Sequence, residues 1–202
     1  MVFGGQATGL TVAGRTDAGV HATGQVCHVD VPTPRWTEIE GTLVRRLAGL
    51  LPPDARVSRV AAVPAAFDAR FSALWRRYRY RVCDHPAGAP PLRHRDTLAW
   101  RGPLDADLLN EASVALLGEH DFAAFCQAMV RSLVGALLAV GDGRRQPQWP
   151  GSLLMRRERA NEVVVAPPHG LTLVGVGYPD DPADYARRAA LTRNRRGEAQ
   201  PA

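Results

Sequence analysis

The chain has 202 residues, 46% of them hydrophobic and 22% charged, the balance of a folded globular protein and not of a disordered one, with room for one domain or two small lobes. Its net charge is +5, and all 25 of its strongly basic side chains are arginine. The guanidinium fork binds phosphate bidentately and stacks on bases, which suits a nucleic-acid partner, although a GC-rich genome produces the same bias. The longest strongly apolar run, Leu133 to Val140, falls far short of the roughly 20 residues that span a bilayer.

Met1 to Leu10 is Gly-rich and has neither a basic start nor a continuous apolar run. No secretory signal is expected there, and the expected location is the cytoplasm. Leu10 to Ala13 and Gln25 to Val31 read as strands around the loop Gly14 to Gly24. Thr33 and Pro34 open a helix in which Trp36, Ile39, Leu43, Leu47 and Leu50 recur at helical spacing until Pro52. Arg56 to Val63 and Trp75 to Cys83 read as strands, the second with Tyr78 and Tyr80 on one face and Arg77, Arg79 and Arg81 on the other.

Further along, a helix is predicted from the capping Asp105 to Leu117, closed by Gly118, and another from Met129 to Val140, ending at Gly141. A short helix follows Trp149, and Leu171 to Tyr178 is the last strand. From Asp180 the chain is polar and Arg-rich without an apolar period, so 181–202 is predicted to be a mobile tail. The expectation is an α/β (α+β) protein with helices on a largely antiparallel sheet, residues 1–100 forming an N-terminal lobe and 101–180 a C-terminal one. Cys27, Cys83 and Cys126 are odd in number, widely spaced and without a CxxC pair; they read as reduced thiols, and no metal site is expected. No GxGxxG or P-loop spacing points to a nucleotide cofactor.

The most specific stretch is Gly14-Arg15-Thr16-Asp17-Ala18-Gly19-Val20-His21-Ala22, a Gly-punctuated loop that presents an arginine, a carboxylate and a histidine within a few residues. On residues alone, an Asp in such a turn more often bonds its own backbone than reacts. His21 and His28 read as structural, since no nucleophilic Ser or Cys motif accompanies them.

The string GRTDAGVHA resembles the signature of the tRNA pseudouridine synthase A family. The resemblance continues through Phe67-Asp68-Ala69-Arg70-Phe71-Ser72-Ala73, Arg76-Arg77-Tyr78-Arg79-Tyr80, Leu117 to Phe122, Met129 to Gly135 and Ala166 to Leu171. It implies the pseudouridine synthase fold and isomerisation of uridine to pseudouridine at positions 38 to 40 of the tRNA anticodon arm. By the same resemblance the enzyme is a homodimer that needs no cofactor.

The resemblance makes Asp17 the nucleophile, Tyr78 the aromatic that lies against the uracil and takes a proton, and Arg131 the basic residue that pairs with Asp17 and favours the ionised carboxylate. Arg15 matches the arginine that helps hold the target nucleotide out of the stack. Arg70, Arg76, Arg77 and Arg79 are candidates for phosphate contacts, and Leu171, which opens the last strand, for a substrate contact. Tyr80 reads as a core aromatic.

Two departures from the family pattern stand out. The family's first strand and helix have no counterpart in Met1 to Leu10. Only Gln127 and Ala128 separate Cys126 from Met129, where the family inserts further strands. An active isomerase and an inactive remnant of the family with weak or no tRNA binding are therefore both compatible with the sequence, and Arg131 within salt-bridge distance of Asp17 is the expectation that separates them.

Overall fold

The computed structural model describes residues 9–125 and 128–198. In chain order it carries strands β1 (Thr11–Val12), β2 (His21–Ala22) and β3 (Cys27–His28), then helices α1 (Thr33–Ile39) and α2 (Leu43–Leu50). Strands β4 (Trp75–Tyr80), β5 (Val82–Cys83) and β6 (Leu98–Ala99) follow, then helices α3 (Ala106–Val114), α4 (Met129–Gly141) and α5 (Trp149–Leu153), strand β7 (Leu171–Gly177) and helix α6 (Asp184–Glu198). The α/β class holds, and the pairing is mixed. β1 and β3 are antiparallel, whereas β2 lies parallel to β7 and β5 parallel to β6. β4 flanks β7 on its other side and runs opposite to it, as the bonds from Leu74 N to Gly177 O and from Arg81 N to Gly170 O require.

Contacts divide the chain into two compact units, each drawing on both halves of the sequence. One comprises residues 9–15, 24–76 and 175–198; the other comprises 16–23 and 77–174. The second unit is organised by α4, whose sequence MVRSLVGALLAVG carries a single charge, Arg131. A helix apolar on all sides has to be covered on all sides. Ala136, with Leu133 beside it, packs into a cluster with Phe125, Leu153, Ala160 and Val163. Leu138, with Val134, packs on the opposite side with Leu98, Ala166, Tyr80, Val82 and Trp100. α3 begins at the predicted cap, the Asp105 carboxylate accepting from Asp107 N and Leu108 N at 2.8 and 3.0 Å.

In the first unit, the helical pattern from Thr33 to Leu50 is split by a 3-10 turn at Glu40–Thr42, where Gly41 weakens the helix interior. The predicted strand over 56–63 does not form: exposed Ser58 and Arg59 break the alternation, and prolines at 52, 53 and 64 bracket the segment. Phe67 packs against Tyr178 and Tyr185 at 4.9 and 5.2 Å between ring centroids. Asp68 Oδ1 accepts from Arg70 N and Phe71 N, and its Oδ2 takes Arg193 Nη2 at 2.8 Å. Burial pulls this carboxyl upward, but the two amide donors and Arg193 outweigh it and hold the group below the usual carboxylate range.

The stretch predicted to be a mobile tail thus carries helix α6, held to the 67–73 segment by Arg193 on Asp68, by the Ser72 hydroxyl on Tyr185 O and by Arg188 on Ala73 O. Its anchors are three or four separated residues and not an apolar stripe, which is why periodicity misses it. Among the described residues no helix is long and apolar enough to cross a membrane.

The tightest constraint in the second unit is at Gly135, where a Cβ would stand 1.8 Å from the Val164 carbonyl oxygen. Gly135→Ala is therefore expected to force α4 and the 164–166 segment apart and to destabilise the fold by on the order of 3 kcal/mol, as overpacking does. Chemical denaturation followed by circular dichroism measures this; an unchanged midpoint would mean the two backbones are not in contact.

Candidate active site

Asp17 sits in a tight turn closed by a hydrogen bond from Val20 N to Asp17 O at 3.0 Å. Gly19 is required twice over: its φ is +84°, and a Cβ there would lie 3.1 Å from Pro168 Cγ. Immediately after the turn, β2 pairs with β7 in the register His21 to Thr172 and Ala22 to Leu173, so the loop is tied to the sheet within four residues of the carboxylate. His21 Nε2 contacts Arg95 O at 2.8 Å. In the first unit, His28 Nδ1 accepts from Ala69 N at 3.0 Å. Both histidines are occupied in structural contacts.

Arg131 reaches the site from the first turn of α4, which the chain enters through Ala128 in the left-handed conformation (φ 51°, ψ 39°), a sharp turn costing roughly 1 kcal/mol. Arg131 Nη1 donates to Asp17 Oδ2 at 2.9 Å. Its Nε donates to Ala166 O at 2.7 Å, and Ala166 N donates back to Arg131 O at 3.1 Å. The salt-bridge contact expected from the sequence is present in spite of the short link. The Asp17 side chain is 53% exposed and that of Arg131 17%, so the carboxylate is open to an incoming ligand while the cation behind it is fixed. A pair this accessible contributes at most about 1 kcal/mol to stability. Its stronger effect is on the orientation of the carboxylate.

Tyr78 lies on the half-buried face of β4, and its hydroxyl has no hydrogen-bond partner among the described residues. Tyr80, two residues on, donates to Pro167 O at 2.8 Å. Its ring fills the space a Cβ at Gly170 would need, Tyr80 Cζ being 2.6 Å from that point. Arg77 points to the exposed side of β4, and Leu171 is buried at the start of β7. Arg15, Arg70 and Arg76 belong to the first unit. Arg15 is exposed. Arg70 stacks on Phe71 at 5.2 Å. Arg76 donates from Nε to Ala13 O and from Nη2 to Arg70 O, which commits its guanidinium to backbone carbonyls.

The structure thus joins Asp17 and Arg131 directly and gathers Tyr78, Arg77 and Leu171 into the same compact unit. The sequence reading does not supply the third member of the contact, the Ala166 carbonyl. Its only sequence signal is the Pro167-Pro168 pair that stiffens the segment after it.

Residues 122–179 match the family model of tRNA pseudouridine synthase. A tRNA pseudouridine synthase A of Streptomyces griseus is 49% identical over 221 residues, covering 92% of this chain and 78% of the relative. One of Frankia casuarinae is 50% identical over 219 residues (91% and 78%), and one of Mycobacterium leprae 44% over 232 (93% and 81%). The chain belongs to the tRNA pseudouridine synthase A family. These alignments are longer than the 202 residues of the chain, so the relatives carry internal segments opposite gaps in it.

Burial pushes the Tyr80 hydroxyl up from 10.0 to about 12, against the opposing pull of Arg131; Tyr178, buried and bonded to Ala69 O, is raised to about 12 as well. A tyrosine whose folded pKa lies above its unfolded value contributes stability that is fully present below pH 10 and lost as pH rises through 12. Tyr80 and Tyr178 should therefore ionise only near pH 12 in an ultraviolet titration, each of Tyr80→Phe and Tyr178→Phe removing one late step. Ionisation of all four together near pH 10 in folded protein would contradict the burial of both hydroxyls.

Proposed function

We propose that the chain isomerises uridine to pseudouridine at positions 38 to 40 of the tRNA anticodon arm, with Asp17 as nucleophile. The observation that carries this reading is the Asp17–Arg131 contact: a half-exposed carboxylate held by a mostly covered guanidinium whose Nε is tied to the Ala166 carbonyl. In the reaction the N1 to C1′ bond breaks, the uracil turns, a C5 to C1′ bond forms, and the proton lost from C5 is balanced by one gained at N1. Substrate and product have the same atoms and the same oxidation state. The chemistry therefore balances without a redox partner or group donor, and the reading includes no cofactor.

A carboxylate suits the step because it can form a covalent adduct and later leave. Arg131 keeps it aimed, Tyr78 supplies a half-buried aromatic face and a hydroxyl for the turning base, and Arg15 serves to hold the target nucleotide out of its stack. Arg70, Arg76, Arg77 and Leu171 complete the substrate contacts in this reading. The intact contact favours the active enzyme over the remnant, since a lapsed site has no reason to keep an exposed carboxylate and a mostly covered arginine in register.

Asp17→Asn should abolish conversion in single-turnover assays on unmodified tRNA while changing tRNA affinity by less than about threefold, because an amide keeps the shape and is no nucleophile. A wild-type single-turnover rate in the variant would remove the nucleophile assignment; absent conversion by the unaltered protein would favour the remnant.

In the same reading the protein works as a homodimer in the cytoplasm, where its tRNA substrate is found. Sedimentation equilibrium should give twice the mass of one chain at micromolar concentration. A single-chain mass that persists with tRNA bound would exclude the dimer.

A further inference from the structure

The segment 164–170 is the common reference for both partners of the ion pair. Val164 O presses on Gly135 of α4, and Ala166 exchanges two hydrogen bonds with Arg131. Pro168 Cγ meets Gly19, two residues from Asp17. Between these contacts lies Pro167, whose carbonyl accepts the Tyr80 hydroxyl at 2.8 Å. The Ala166 carbonyl, which holds Arg131 Nε, and the Pro167 carbonyl, which takes Tyr80, are separated by very little freedom. The peptide between them is planar and trans, the ring fixes φ of Pro167 at −53°, and Pro168 restricts its ψ, here 145°. A displacement of one carbonyl is therefore passed to the other.

We propose that Tyr80 is a positioning residue for the Asp17–Arg131 pair: its hydroxyl fixes the Pro167 carbonyl, and the stiff Pro167-Pro168 unit carries that constraint to the Ala166 carbonyl that orients the arginine. The inference rests on the reading of Asp17 as nucleophile. The Tyr80 ring is seated independently, against Gly170 and in the cluster with Leu138 and Ala166. Removing the hydroxyl alone therefore leaves the packing in place. Burial also keeps the hydroxyl protonated across the working pH range, as a donor has to be.

The test is Tyr80→Phe in the full chain, read in two ways. One is the single-turnover rate on unmodified tRNA, with tRNA Kd measured alongside. The other is the Arg131 Nε–Hε resonance in a proton–nitrogen correlation spectrum of the free protein, which needs no activity. The rate should fall about fivefold to tenfold, the size of one net hydrogen bond, with Kd within twofold, and the Nε–Hε signal should shift and exchange faster with water. In an Arg131→Lys background, where a single ammonium replaces the fork, Tyr80→Phe should add little.

A rate loss with the Arg131 resonance unmoved would overturn the proposal, as would a moved resonance with an unchanged rate, or losses that simply add. Pro167→Ala, which keeps the hydroxyl but frees φ, should lower the rate in the same direction; a wild-type rate there would also overturn it. If the unaltered protein converts no tRNA, the functional reading fails, while the resonance still decides whether Tyr80 orients Arg131.

Discussion

The two-point bond between Arg131 and Ala166 is the constraint on which the rest of the second unit depends. It ties the side chain and the backbone of one helical residue to one carbonyl and one amide of a segment that would otherwise be loop. With that tie made, Nη1 of the guanidinium is aimed at Asp17. Gly135 is what allows the approach, since no side chain fits between α4 and Val164 O. The contact also explains why a helix so apolar tolerates a charge in its first turn: each Arg131 group that leaves water finds a partner, and a buried donor without one would cost more than the hydrogen bond is worth.

This architecture separates orientation from reactivity. The groups that set direction are covered and rigid: Ala166, Pro167, Gly135 and the inner part of Arg131. The group that reacts in the proposed mechanism is half exposed and lies on a four-residue turn, Asp17 to Val20. Sites built in this way lose little to reorganisation when the substrate arrives, because the dipoles and charges are already in place.

Much of this is legible in the sequence, and the rest is absent for identifiable reasons. Helix α3 is readable from its Asp105 cap and helix α4 from its unbroken apolar run, and the loop of Asp17 is readable because three glycines punctuate it. The strand predicted over 56–63 fails because propensity cannot supply a pairing partner. The two-residue strands β2 and β6 have no period to detect; β2 exists because β7 passes beside it. Helix α6 escapes because its anchors are ion pairs and hydrogen bonds to a distant loop, Arg193 to Asp68 and Ser72 to Tyr185 O, and such contacts leave no mark on hydropathy. The pairing of Asp17 with Arg131 is foreseen from resemblance, yet its geometry depends on a main-chain carbonyl, which no side-chain pattern reports.

The interleaving of the two units has a consequence for biosynthesis. Asp17 leaves the ribosome 114 residues ahead of Arg131 and about 150 ahead of the strand that pairs with β2, so the nascent chain carries the carboxylate turn unattached through most of translation. Domains that are contiguous in sequence can fold as they emerge; here the second unit lacks one of its strand pairings until residues 171–174 are made. Closing so long a loop is slow relative to its modest entropic cost. The second unit is therefore closed only once residues 171–174 are made, and the interval before closure is when the apolar faces of α4 are most in need of protection from other chains.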